Sequence, residues 1–194
     1  MPVSLTVFVD FVSKSGTPKA TVVRQWKNRG GYSVATDYYK RIRDAIVEFH
    51  QTGTEISDLA AGAAKHKRDN YRAVATGHAK WVGKKTLVWF EPPSRVWAQD
   101  GLEVSVNPEL GLEVGGVPHL IKLYFKAEKL AKNRVDLITQ LMRVTLRRRA
   151  PSGCVMGVLD LRNAKLITPT VTISGLSAQL KAEAAYWNTL WESI

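Results

Sequence analysis

The chain is predicted to fold as an α+β protein in which a helical N-terminal region packs on a mixed, largely antiparallel sheet. Three observations carry this reading. Residues 1–85 place apolar side chains mainly at helical spacing, residues 86–126 change to short β-prone runs with period-two alternation, and a helical stripe over 130–147 precedes a near-continuous apolar run over 155–161. At 194 residues, 45% hydrophobic and 23% charged, the sequence supports a full core. We read a mainly helical region over 1–85 and an α+β region over 86–194, forming one unit.

The elements follow in order. The opening run Leu5–Val12 fits both a strand and a helix. Thr17-Pro18 is a helix-start signal, since threonine caps free N–H groups and proline fits the first helical turn, with Val22, Val23 and Trp26 on one face. Over 37–50, Tyr39, Ile42, Ile46 and Phe49 recur at helical spacing among charged residues, and Gly53 ends the helix. A third, alanine-rich helix is expected over 57–81, softened at Gly62 and Gly77. Short strands are expected over 86–90 and 95–98, followed by the tight-turn pair Asp100-Gly101. Residues 102–107 alternate strictly. Residues 117–126 alternate too, with His119, Ile121, Leu123 and Phe125 on an apolar face and Leu120, Lys122, Tyr124 and Lys126 opposite. The helix over 130–147 has the stripe Leu130, Leu137, Leu141 and Val144, and the run over 155–161 reads as an internal strand. A final helix over 177–191 aligns Leu180, Ala184, Trp187 and Trp191. Trp81, Trp89 and Trp97 are expected to pack helices on the sheet.

Composition excludes several classes. No run reaches the 18 or so apolar residues of a membrane span, so no membrane partner is expected and a cytoplasmic location is read. The single Cys154 rules out an intrachain disulfide or a CxxC centre, and its apolar neighbours read it as a core thiol. The GxxxxGK[ST] spacing, a Gly-rich dinucleotide fingerprint and a nucleophile elbow are all missing. The net charge of +11 points to polyanions, with solubility alone as the alternative. The excess is uneven. Residues 1–85 carry 15 Lys and Arg against 7 Asp and Glu, residues 86–194 only 13 against 10.

Asn107-Pro108-Glu109-Leu110-Gly111 places an acid beside a proline at a turn, and Lys122 follows on the next strand. The order of elements over 57–161, with Pro108-Glu109 and Lys122 in their positions, resembles the PD-(D/E)XK nuclease-like superfamily over a little more than half the chain, with its restriction-endonuclease-like core. The resemblance implies that Glu109 holds Mg2+ or Mn2+ against a scissile phosphate while Lys122 positions water or stabilises developing charge. Leu120 stands where the family has its second carboxylate. Glu103, Asp100 or Glu113 is then the candidate to complete the metal site.

Lys65, Lys67, Arg68, Lys126, Arg147, Arg148 and Arg149 are the expected contacts to a DNA or RNA partner. Some have a plainer reading: Lys126, like Lys122, as a lysine on an exposed strand face, and the arginine run as a complement to a helix C-terminus. His119 is expected as a packed core histidine, and Asp160 as a buried carboxylate partnered by Arg162 or Lys122. Two further functions stay open: nucleic-acid binding without chemistry, and a protein–protein module in which the Trp187 and Trp191 helix forms a homodimer.

Overall fold

The computed structural model describes residues 2–29, 38–56, 65–169 and 173–194, and the side chain of His66 is left aside. Asp37 and the expected helical segment over 57–64, with Gly62, lie outside the described residues. The ambiguous opening run Leu5–Val12 resolves as a helix, preceded by a short strand. Val3–Ser4 forms a two-residue strand β1, and Leu5–Val12 continues as helix α1, with the Ser4 Oγ accepting from the Val7 N–H at 3.3 Å as an N-cap.

Helix α2 spans Thr17–Lys27, α3 Lys40–Thr52 and α4 Lys65–Val82. Gly16, not Thr17, is the N-cap of α2, and no side-chain bond is made there; Pro18 still occupies the first turn. Gly53 closes α3 in the left-handed conformation at φ 77°, where a side chain would be strained.

The strands then divide into two sheets, where the sequence suggested one. Strand β2 is Leu87–Phe90, β3 Arg95–Gln99, β4 Leu102–Val106, β5 Leu110–Val114, β6 Val117–Tyr124, β7 Val155–Asp160 and β8 Lys165–Ile167. The smaller sheet has the order β1-β4-β3 and the larger β2-β5-β6-β7-β8. Asp100 and Gly101, both at positive φ, make the two-residue turn of the β3–β4 hairpin.

In the larger sheet β2, β5 and β6 pair antiparallel. Helix α5, Lys132–Leu146, then carries the chain over to β7, which pairs parallel to β6, and β8 returns antiparallel. Helix α6, Leu176–Ser193, ends the chain. The described residues thus form an α+β fold with six helices on mixed sheets of three and five strands.

The larger sheet is covered on both faces, which is why β6 reads poorly as an amphipathic strand. Leu120 and Tyr124 pack into a core with α1, α5, α6 and β4, whereas Ile121, Leu123 and Phe125 pack into a second core with α3, α4 and β5. In the first core Trp187 is 1% exposed and its ring meets Phe8 and Phe11 edge-on, so its burial is supplied by its own chain. Trp191 stays at the surface, beside Lys27. Val144, expected in the α5 stripe, is 48% exposed, because α5 buries the face of Leu137, Leu141 and Met142. Cys154 is half-buried against the first core, and burial pushes its thiol pKa up.

Two contacts seat α4 in the second core. Gly77 lies against the Leu161 backbone just past β7, so close that an added Cβ would overlap the Leu161 carbonyl. At the next position, His78 Nε2 meets His50 Nε2 of α3 at 2.9 Å beside Phe49 and Trp81. One ring must donate and the other accept, so the accepting histidine is neutral. Desolvation lowers the His50 pKa to about 4, and desolvation with the nearby His50 lowers that of His78 to about 3.

Two outcomes follow from these contacts. Gly77→Ala gains about 1 kcal/mol of helix propensity but must push α4 off Leu161, and the net expectation is a loss of about 1–3 kcal/mol in urea unfolding; a stabilised variant would refute the close seating. The histidines bind protons in the unfolded chain below 6.5, yet resist them in the folded protein down to about 4. Their contribution is therefore complete above 6.5 and is lost as pH falls from there towards 4. The unfolding midpoint should drop between about pH 7.5 and pH 5, less so in a His50→Gln/His78→Gln variant, and an equal drop in both proteins would clear the histidines of any part in it.

Candidate functional site

Pro108-Glu109 and Lys122 meet where β5 begins. The Glu109 N–H still donates to the Ile121 carbonyl at 3.1 Å, and then β5 pairing with the rest of β6 stops. The carboxylate takes over. Glu109 Oε2 accepts the Leu123 N–H at 2.8 Å, while Oε1 accepts from Lys122 Nζ at 2.6 Å. Lys122 Nζ also donates to the Asn107 carbonyl at 2.9 Å, so its ammonium closes the segment that crosses from β4 to β5.

Lys122 and Glu109 side chains are only 9% and 11% exposed, so the lysine is not the solvated strand residue of the plainer reading. A charge at that depth is tolerated only when paired and hydrogen-bonded, and both groups are.

The pair forms one wall of a cavity of about 560 Å³. Its charged lining comprises Arg29 after α2, Arg43 of α3, Lys122, Lys126, Arg134 of α5 and Glu109, five cations against one carboxylate. Asp10 of α1 stands behind, bonded to Arg134 Nη1 and 3.3 Å from Lys126 Nζ. Glu128 lies 3.6 Å from Lys126 and accepts from the Tyr124 hydroxyl at 3.3 Å. Burial, with Glu128 adding to it, pushes the Tyr124 pKa up to about 12, so this phenol stays a donor.

The opposite wall is aromatic. Tyr39 stacks on Phe125 with ring centroids 4.9 Å apart, and Tyr38 meets Tyr39 edge-on at 4.8 Å. Helix α4 holds this wall in place: Asn70 Nδ2 donates to the Tyr39 hydroxyl at 3.0 Å, the Tyr71 hydroxyl to the Tyr38 carbonyl at 2.9 Å, and Arg162 to Asn70 Oδ1 at 2.6 Å.

The other expected site residues separate into those near this cavity and those far from it. Lys67 is near, its ammonium 4.9 Å over the Tyr38 ring, and it joins the exposed Lys65 and Arg68 on the same turn of α4 to the aromatic wall. Arg147, Arg148 and Arg149 follow the far end of α5, about 20 Å from Arg134 along the helix, and are exposed.

Asp100 sits in the hairpin turn at the opposite end of β4 from Asn107, about 17 Å away for a five-residue strand, with its carbonyl bonded to Asn188. Glu103 is exposed on β4 opposite Ala98, and Glu113 lies on strand β5, not in a loop. None of the three lines the cavity. Two further readings are corrected. His119 is half-buried at the start of β6, where Nδ1 donates to the Val117 carbonyl at 2.7 Å. Asp160 is buried, but its partner is Asn163, which donates its backbone N–H to Oδ1 at 3.2 Å and its amide to Oδ2 at 2.8 Å. This carboxylate closes the turn after β7.

A magnesium-type ion needs several oxygen ligands at about 2.0–2.1 Å. Among the described residues Glu109 is the one carboxylate lining the cavity, and both its oxygens are engaged. Leu120 is fully buried in the first core, and no group of three or more His, Cys, Asp or Glu side chains converges among the described residues. This donor set, as arranged, does not fit Mg2+ or Mn2+.

The Glu109–Lys122 pair is open to a direct test. Lys122→Met strands a buried carboxylate and should cost about 3–5 kcal/mol in denaturant unfolding, whereas Glu109→Gln/Lys122→Met should recover a good part of that loss. A double variant no more stable than Lys122→Met would show that the two charges do not act as a pair. The chain matches no family model, and no curated protein and no solved structure is significantly similar to it, so the reading of the site stands on this geometry.

Proposed function

We propose that the protein binds nucleic acid through its phosphate backbone at the Glu109–Lys122 cavity. The observation that carries this is the lining of five cations around one already paired carboxylate, joined through Lys67 and Tyr38 to the basic turn of α4. Phosphates bind such surfaces because neutralising them releases condensed counterions, and arginine adds bidentate geometry. The order α4, β2, β5, β6, α5, β7, interrupted by the β3–β4 hairpin of the smaller sheet, with an antiparallel pair leading to a parallel crossover, supports kinship with the PD-(D/E)XK nuclease-like superfamily, in a divergent form.

Metal-dependent cleavage is the second reading. The meeting of Glu109 and Lys122 across β5 and β6 favours it, while the lack of a second carboxylate in the cavity speaks for binding alone. Among the described residues no helix is long and apolar enough to cross a membrane.

Fluorescence anisotropy with a labelled oligonucleotide tests the proposal. Affinity should fall steeply with salt, with a logarithmic slope of about −0.7 per phosphate contact on a single strand and −0.9 on a duplex. Arg43→Glu, or Lys65→Glu/Lys67→Glu/Arg68→Glu, should weaken binding and flatten the slope. Absence of binding at low salt would reject the function, and cleavage on adding Mg2+ or Mn2+ would establish the second reading instead.

A further inference from the structure

We infer that the cavity seats one unpaired nucleotide of a single strand, with its phosphate on the arginine and lysine side and its base against the Tyr38–Tyr39 wall. This rests on the nucleic-acid reading and adds the form of nucleic acid that the site accepts. Three features lead to it.

The first is size. At about 560 Å³ the cavity falls within the roughly 300–1,000 Å³ range of sites that enclose one small molecule, whereas a duplex presents a surface whose major groove alone is about 12 Å wide. A duplex backbone can touch the rim; only a nucleotide out of its helix enters.

The second is the division of the lining. Arg43, Lys126 and Arg134 stand with Lys122 as cations, and Tyr38, Tyr39 and Phe125 stand as rings. A nucleotide has the same division, an anionic phosphate and a flat base with a π-face. Aromatic side chains beside a cationic groove are the general means of holding single strands, since every base can stack and no base-pairing edge need be read.

The third is preorganisation. The tyrosines are not loose surface rings, because Asn70, Tyr71 and Phe125 fix them from three sides. A platform already ordered does not lose rotamer freedom when a base arrives. Lys67 over the Tyr38 ring extends the track, giving the neighbouring phosphate a cation on the way out along α4.

The test compares a single-stranded oligonucleotide, the duplex of the same sequence and a free nucleoside monophosphate at low salt. We expect the single strand to bind at least ten-fold more tightly than the duplex and the monophosphate to compete only weakly. Tyr39→Ala should weaken single-strand binding about ten-fold while leaving its salt slope unchanged, as loss of a stacking contact does.

Because Tyr39 also bonds Asn70, a measurement on the unaltered protein accompanies the variant: a 2-aminopurine placed in the strand should lose fluorescence on binding, the signature of stacking. Salt-dependent binding with equal affinity for duplex and single strand and no 2-aminopurine quenching would overturn the inference and leave the phosphate-binding function standing. Tight binding of the monophosphate without preference for the strand would overturn it as well. No binding of any of the three would remove both.

Discussion

The ion pair between Glu109 and Lys122 is the constraint on which the rest of this structure turns. Strand β6 has packed side chains on both faces and hydrogen-bonded neighbours on both edges until β5 ends beside it. At that point the part-buried Leu123 N–H would lack a backbone partner, a loss of about 1–3 kcal/mol if left unmade. Glu109 supplies the missing acceptor. A carboxylate at that depth needs a cation, and Lys122, the neighbour across the strand pair, is that cation. Its remaining donor capacity reaches Asn107, which fixes the path of the chain from the smaller sheet into the larger. One pair of charges thus ends a strand, joins two sheets and leaves a cavity at the join.

Around that join the fold builds two walls from opposite cores. Helices α1 and α5 of the first core bring Asp10 and Arg134 together, while α3 and α4 of the second hold Tyr38 and Tyr39. The seating of α4 through Gly77 on Leu161 matters here because Asn70 and Tyr71, about two turns earlier on the same helix, position the tyrosines. A shift of α4 would be transmitted directly to the aromatic wall, so the backbone contact and the His50–His78 pair hold that wall as well as a core.

Much of the fold is legible locally. Alternation in β4, the Asp100-Gly101 turn, the period of α3 and the apolar run of β7 each follow from interactions within one element and its immediate neighbours. What is not legible depends on the partner. β6 alternates in the sequence, but Lys122 is buried with its face because α1 and α5 cover it, and no spacing within 117–126 announces a second covering layer. Strand β5 is masked by the turn signal of Asn107-Pro108; Gly111 in its interior leaves room for the Phe90 ring and backbone of β2, a requirement visible only once the strands pair.

The candidate site divides the same way. Glu109 and Lys122 are found from sequence because the acid, the turn and the strand lie within 14 residues. Asp10 and Arg134, 124 residues apart, carry no local signal of their meeting.

The electrostatics of the cavity decide what it can attract. Lys122 contributes little net charge, since Glu109 at 2.6 Å neutralises it, and Asp10 offsets part of Lys126 and Arg134. Asp10 lies outside the lining, whereas Glu109 is part of it together with the five cationic groups. An anion entering the cavity therefore meets five cationic groups and one carboxylate that is already paired with Lys122. In a partly desolvated space the Coulomb term falls with distance and the nearest charges dominate. Removing the acids would raise the net charge further, but it would leave five cations crowded in one cavity, repelling each other and losing the geometry that directs them inward. The carboxylates are in this sense a scaffold: Glu109 holds Lys122, and Asp10 holds Lys126 and Arg134, around one cavity.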